Sequence, residues 1–224
     1  MRDTIKNKDY FNLYILEEME SIDEFQEDLD AGDVREDRII PVKGMMLEIK
    51  IGMIIAKYSR GDSLDELKED FEGLIDLFEE AWTLSVYEDN LRFISLAYLL
   101  NVDDSIIDRS AKVLIQAETH DWLMDSFLKG ELSSMDKDKL SFPKYHLLAQ
   151  AMTDRNVEDL KKYLSGWYRG HSGSAWYGSH KNTKVNTYYG YWCFEAAVAV
   201  RMLKLDDEVL KGKKYYPYDL AHYE

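Results

Sequence analysis

The sequence predicts an all-α protein: a multi-helix bundle or irregular helical array, with a faint HEAT-like repetition of helix pairs and no significant sheet. Three observations carry this. Apolar residues recur at steps of three and four along most of the chain. No stretch shows the strict alternation of a half-buried strand. Only three prolines and 12 glycines interrupt 224 residues, which favours long regular elements over a loop-rich β protein. At typical helix lengths the chain has room for roughly eight to ten helices.

The first helix is read from Tyr10, Phe11, Tyr14, Met19, Ile22, Phe25 and Leu29, with Gly32 as its stop. A second begins near Pro41, a residue suited to a first turn, and runs through Met46, Ile49, Met53 and Ile54 to about Tyr58. In the third, Ser63 and Glu66 have the spacing of a capping box, followed by one apolar face from Leu64 to Trp82. "NLRFISLAYLLNVDD" is a helix closing at Asn101; Ile106–Ile115 and Asp121–Leu128 are two more. "SSMDKDKLSFPKYHLL" combines charge, serine and proline and reads as a linker. Beyond it, Pro143 opens a helix to about Met152, and Asn156 with Asp159 caps another that stops near Gly166. "GWYRGHSGSAWYGSHKNTKVN" is a long Gly/Ser/aromatic loop, "YYGYWCFEAAVAVRMLKLDD" a core helix, and "KGKKYYPYDLAHYE" an irregular tail. The organisation expected is an acidic N-terminal helical module over 1–130 and a C-terminal module over 141–224, packed as one unit. "FISLAYLLNVDDSII" and "AAVAVRMLKLDDEVL" share a helix, a leucine and an Asp-Asp turn. Asp103-Asp104 and Asp206-Asp207 stand where caps and first-turn carboxylates are favoured.

The formal charge is −15, and residues 1–90 carry all of it, with 10 Lys/Arg against 25 Asp/Glu; residues 91–224 hold 18 of each. An acidic surface repels a phosphate backbone, so direct nucleic-acid binding is not expected. A basic partner is the natural complement. The acidic faces of the first and third helices, with Glu24, Glu27, Glu69, Asp70 and Asp76, are therefore candidate partner-binding residues. A single cysteine, Cys193, allows no intrachain disulfide and fits a reducing compartment. The N-terminus has no signal-peptide core, and the most apolar window, "GMMLEIKIGMIIA", is too short and too charged to span a bilayer. The expectation is a cytoplasmic protein that does not engage a membrane.

Few motifs suggest chemistry. "GHSGS" resembles a nucleophile elbow, but its fifth residue is Ser174 and no strand precedes it. The five histidines form no H-x-x-x-H, H-E-x-x-H or E-x-x-H pattern, and no Walker A or dinucleotide-binding glycine pattern occurs. No catalytic residue, metal or cofactor is expected. Residues 155–184 are mildly basic and hold Trp167, Tyr168, Trp176 and Tyr177. Such a set can stack single strands or line a protein interface, where Tyr, Trp and Arg are enriched. Trp176, Tyr177 and His180 are candidate contact residues of this loop.

Within the core stretch, Ala196, Ala197 and Ala199 allow close helix approach, and Glu195 stands among apolar neighbours. A buried carboxylate needs partners, which tyrosine hydroxyls or an arginine can supply. Cys193, flanked by Trp192 and Phe194, reads as a small inert hydrophobe.

"YYGYWCFEAAVAVRMLKLDD" followed by "YYPYDLA", together with "WYGSH", resembles the C-terminal signature of the PoNi immunity proteins; "MRDTIKNKDYFNLYI" and "AKYSRGDSLDELKEDF" resemble that family's N-terminal module. The resemblance covers nearly the whole chain. It implies an all-α protein in two parts that binds and neutralises a cognate PoNe-type DNase toxin delivered by a competing cell. It carries over no catalytic residues. The residues it shares, Tyr188, Gly190, Tyr191, Trp192, Glu195, Tyr216, Pro217 and Asp219, read as structural. Symmetric dimers are common, so a homodimer is the oligomeric state to expect. Two other readings compete: a small all-α enzyme using His171, His180 and Glu195, and a helical-repeat scaffold with several partners.

Overall fold

The computed structural model describes residues 1–82 and 87–224. Among them are eleven α-helices and no strand. They are α1 (Lys8–Ala31), α2 (Ile39–Arg60), α3 (Leu64–Glu72), α4 (Ile75–Ala81), α5 (Tyr87–Leu99), α6 (Asp104–Gln116), α7 (Trp122–Lys129), α8 (His146–Asp154), α9 (Val157–Gly170), α10 (Phe194–Leu203) and α11 (Tyr218–Ala221). The chain divides into two compact units: Met1–Thr83 with Gly178–Gly190, and Leu84–Tyr177 with Tyr191–Glu224.

In the first unit α1 lies against α2, and α2 against α3 and α4. Asn7 starts α1 by accepting the Tyr10 N–H at 2.9 Å. Buried Phe11, Tyr14 and Ile15 of α1 face the apolar side of α2, where Ile51, Ile54 and Ile55 are also buried. Leu67, Phe71 and Phe78 complete this core from α3 and α4. The single third helix expected from Ser63 to Trp82 is two helices, broken at Gly73 and Leu74. Glycine is a poor helix former, and the Leu74 N–H turns back to the Phe71 carbonyl at 2.9 Å. Ser63 occupies the N-cap position without a side-chain hydrogen bond, so the capping box does not form.

The N-terminus is fastened to the end of α2. The backbone N–H groups of Arg2 and Asp3 both donate to the Ser59 carbonyl at 3.0 Å. The Arg2 guanidinium bonds the carbonyls of Tyr58 at 3.1 Å and Asp62 at 2.8 Å. Gly61 makes this possible: its φ is +100°, and a Cβ there would stand 2.8 Å from the Met1 nitrogen. Segment 178–190 joins the same unit. The Tyr188 hydroxyl donates to buried Asp3 at 2.5 Å, and the Ser59 hydroxyl to the Tyr189 carbonyl at 2.8 Å.

In the second unit α10 packs on α5, α8, α9 and α11, and α5 also packs on α6 and α7. Every residue from Phe194 to Val200 is buried, as a central helix with small residues on its contact faces requires. Arg201 closes the pair by donating to the Leu99 carbonyl, at the end of α5, at 2.8 Å. The caps read at Asp103 and Asn156 form, and Asp121 supplies one more. Asp103 accepts the Ser105 N–H, Asp121 those of Leu123 and Met124, and Asn156 those of Glu158 and Asp159.

The core helix is shorter than the sequence suggests. Tyr188–Cys193 is not helical, and α10 begins at Phe194. Gly190 has φ +122°, a conformation closed to other residues and incompatible with a helix. The tail is also more ordered than expected: Tyr218–Ala221 forms α11.

Candidate functional site

The acidic candidates lie in the first unit. Glu24 and Glu27 are exposed on α1, and Glu69 is exposed on α3. Asp70 is committed to an ion pair, 2.6 Å from the Lys57 ammonium. Asp76 is exposed in the first turn of α4. The α1 carboxylates crowd one another: between Lys8 and Arg35 the sequence has ten Asp/Glu and no Lys or Arg. One inward carboxylate is perturbed. Burial lifts Glu18 above its ordinary value, against the lowering effect of the hydrogen bond from Tyr14.

The aromatic loop is divided between the units. His180 belongs to the first, where its ring meets Tyr188 edge-on at 6.2 Å. Trp176 and Tyr177 belong to the second. Trp176 stacks on Trp167 at 5.3 Å, and Tyr177 on Tyr168 at 4.4 Å. Tyr191 and Tyr215 join the same cluster, at 4.9 and 5.5 Å from Tyr168. These rings are half-buried or buried rather than displayed. They close over α9, whose last two turns carry Trp167 and Tyr168.

Two carboxylates anchor that cluster. Glu195, 8 % exposed in the first turn of α10, accepts from the Tyr163 hydroxyl at 2.7 Å and the Trp167 indole N–H at 2.6 Å. Its place in the first turn is favoured by the helix dipole. Burial, and next the Glu195 charge, push both the Tyr163 hydroxyl and the Cys193 thiol well above their ordinary values. Tyr163 therefore stays a donor, and Cys193 stays a protonated core thiol. Glu88 holds the other edge, pairing with Lys144 and accepting from Ser174 at 2.8 Å and Trp176 Nε1 at 3.2 Å. Burial works to raise the Glu88 pKa, but the hydrogen bonds from Lys144 and Ser174 outweigh it and hold the carboxyl below its ordinary value.

Of the remaining signature residues, Tyr216 and Pro217 are buried and Asp219 is exposed. Tyr188 is fully buried. Trp192 is half-buried on the extended approach to α10, whose Cys193 N–H donates to the Tyr215 carbonyl at 2.8 Å. Pro217 is the N-cap of α11, and Asp219 lies in its first turn. The Tyr216 hydroxyl donates to Asp207 at 2.5 Å, and His222 Nε2 lies 3.0 Å from the same carboxylate. Of the Asp206-Asp207 pair, Asp206 caps, accepting the Glu208 N–H at 3.2 Å, while the Asp207 side chain is taken by these two partners. His171 is buried, with Nδ1 2.8 Å from the Trp167 carbonyl and Nε2 3.4 Å from the Tyr145 hydroxyl. Its two nitrogens hold the loop to α9 and the start of α8. Among the described residues no group of three His, Cys, Asp or Glu side chains is placed to hold a metal ion. Nor is any helix there long and apolar enough to cross a membrane.

The sequence does not disclose the long-range partners of these residues. Nothing local couples Glu88 to Ser174, or Asp3 to Tyr188; those pairs are 86 and 185 positions apart.

Two family profiles match the chain. The N-terminal profile of the PoNe immunity protein (PoNi) covers residues 2–112, and the C-terminal profile of the PoNe immunity proteins covers 119–220. The chain belongs to the PoNi family. Membership carries a role in immunity against PoNe toxins and pairing with them. Among solved structures, the chain resembles the crystal structure of protein PA2201 from Pseudomonas aeruginosa. The two share 17% identity over 95% of this chain and 87% of that one, with a TM-score of 0.66. That likeness is one of fold. No curated protein matches the sequence.

Proposed function

We propose that the chain protects its own cell by binding a cognate PoNe-type DNase directly and blocking its action, without chemistry of its own. The observation that carries this reading is the match to both PoNi profiles, which together span nearly the whole sequence. The charge distribution supports it. A DNase presents positive charge to phosphates, and an acidic inhibitor can occupy that surface and steer its own association. The titratable groups that look most like chemistry, Glu195 and His171, are occupied in packing. The protein acts in the cytoplasm, where an arriving DNase reaches the chromosome.

The test is co-expression. Cells making the PoNe toxin encoded beside this chain should grow when the chain is made with it. Killing that continues while the chain is soluble and abundant would refute the reading. So would protection with no complex recoverable between the two purified proteins.

A further inference from the structure

Helix α1 turns Phe11, Tyr14 and Ile15 inward. The opposite side is not simply polar. Leu13, Leu16 and Met19, at successive i+3 positions, are 47%, 54% and 50% exposed. An outward leucine alone is ordinary; three in a row along one helix form a patch. Around them stand Asp9, Glu20, Asp23, Glu24 and Glu27, all exposed and none within ion-pair range of a cation among the described residues.

This arrangement works against the helix that carries it. Glu20 and Glu24, Asp23 and Glu27, and Glu24 and Asp28 are like-charge pairs at i,i+4, which destabilise a helix. The last turn holds no basic residue, so its carboxylates oppose the helix dipole. An unpaired apolar stripe inside a field of unneutralised carboxylates has the anatomy of half an interface: an anchor that loses water at the centre and a charged rim.

We propose that the outward face of α1 is the surface that receives the partner, with Leu13, Leu16 and Met19 entering an apolar recess and the surrounding carboxylates meeting lysines and arginines. The partner is the basic toxin, so this inference rests on the immunity reading. Charge selects the occupant. A second copy docking the same face would set these carboxylates against themselves, since a two-fold interface pairs a patch with itself. Nucleic acid and anionic lipid are repelled in the same way. On α3, by contrast, Asp70 is already paired with Lys57, and the exposed apolar anchor is missing: its apolar residues Leu67 and Phe71 are buried.

The probe is a catalytically inactive form of the PoNe toxin from the same locus, measured against the full chain by surface-based kinetics at low and high salt. Three variants are compared, each first checked for wild-type helicity and melting temperature: Leu13→Ala/Leu16→Ala, Glu20→Gln/Glu24→Gln/Glu27→Gln, and, as a control on α3, Glu66→Gln. The leucine pair should weaken Kd at least tenfold, mainly through faster dissociation. The glutamine triple should slow association several-fold and flatten its salt dependence, because rim charges act chiefly on the on-rate. The α3 control should bind as wild type does. If wild type binds and either α1 variant stays within twofold of it, the α1 surface is refuted while the immunity reading stands. If wild type itself does not bind, both fall.

Discussion

Replacing Glu195 by alanine should cost the protein a large part of its stability. The carboxylate is almost fully buried and receives two hydrogen bonds, from Tyr163 at 2.7 Å and from Trp167 at 2.6 Å. Truncation removes both and strands two buried donors. Hydrogen bonds to a charged group are worth about 1.5–3 kcal/mol each, and breaking a buried charged contact from one side costs roughly 3–5 kcal/mol in total. For a chain of this size each kcal/mol lowers the midpoint by about 2–4 °C. Glu195→Ala should therefore melt roughly 6–20 °C below wild type. Glu195→Gln keeps an acceptor oxygen in place and should lose only about 1–2 kcal/mol. Differential scanning calorimetry with urea unfolding gives both numbers. A double-mutant cycle with Tyr163→Phe should show coupling above about 0.5 kcal/mol. If Glu195→Ala stays within about 1 kcal/mol of wild type and shows no coupling, the carboxylate is not the anchor of the aromatic cluster.

Other outcomes follow from the same geometry. The Glu88 carboxyl is held below its ordinary value, so its contribution is present above the unfolded-state pKa of about 4.3 and disappears as pH falls through the lower folded value. Glu88→Gln should cost about 1 kcal/mol at pH 7, a modest figure because the site is partly open to solvent, and the gap to wild type should close below pH ~4; a gap independent of pH would contradict this. Gly61→Ala should destabilise by about 2–4 kcal/mol, from the left-handed backbone and the collision with Met1, with proteolysis then starting at the N-terminus; an unchanged midpoint would show that the terminus is not fastened there. Tyr188→Phe leaves Asp3 without its hydroxyl partner and should cost about 1–3 kcal/mol, with faster amide exchange at Ile5 and Lys6, whose N–H groups the same carboxylate accepts.

Local signals made much of this fold legible. The helix faces followed from apolar spacing, and Asp103, Asp121 and Asn156 cap where short polar residues precede periodic runs. The misreadings came where the deciding contact is distant. Tyr188, Tyr191 and Phe194 are three apart and imitate a helical face. Their segment is extended because Gly190 turns the backbone to φ +122° and Tyr188 is drawn to Asp3. Asp207 reads like Asp104 in sequence, a solvent-facing first-turn carboxylate, yet Tyr216 and His222 claim its side chain. The α3–α4 break at Gly73 was masked by an apolar face that continues on both sides of it. The acidic face of α1 was visible in composition. That its outward side also carries Leu13 and Leu16 is settled by packing, which turns Phe11, Tyr14 and Ile15 inward.

The central claim is that the chain neutralises its toxin by direct, stoichiometric binding. Purified PoNe toxin of the same locus, incubated with DNA and increasing amounts of the purified chain, measures this most directly. The account predicts that cleavage falls in proportion to added chain and stops near one equivalent, with the complex eluting as a single species in size-exclusion chromatography. Cleavage that continues unchanged at a tenfold excess of folded chain would contradict it.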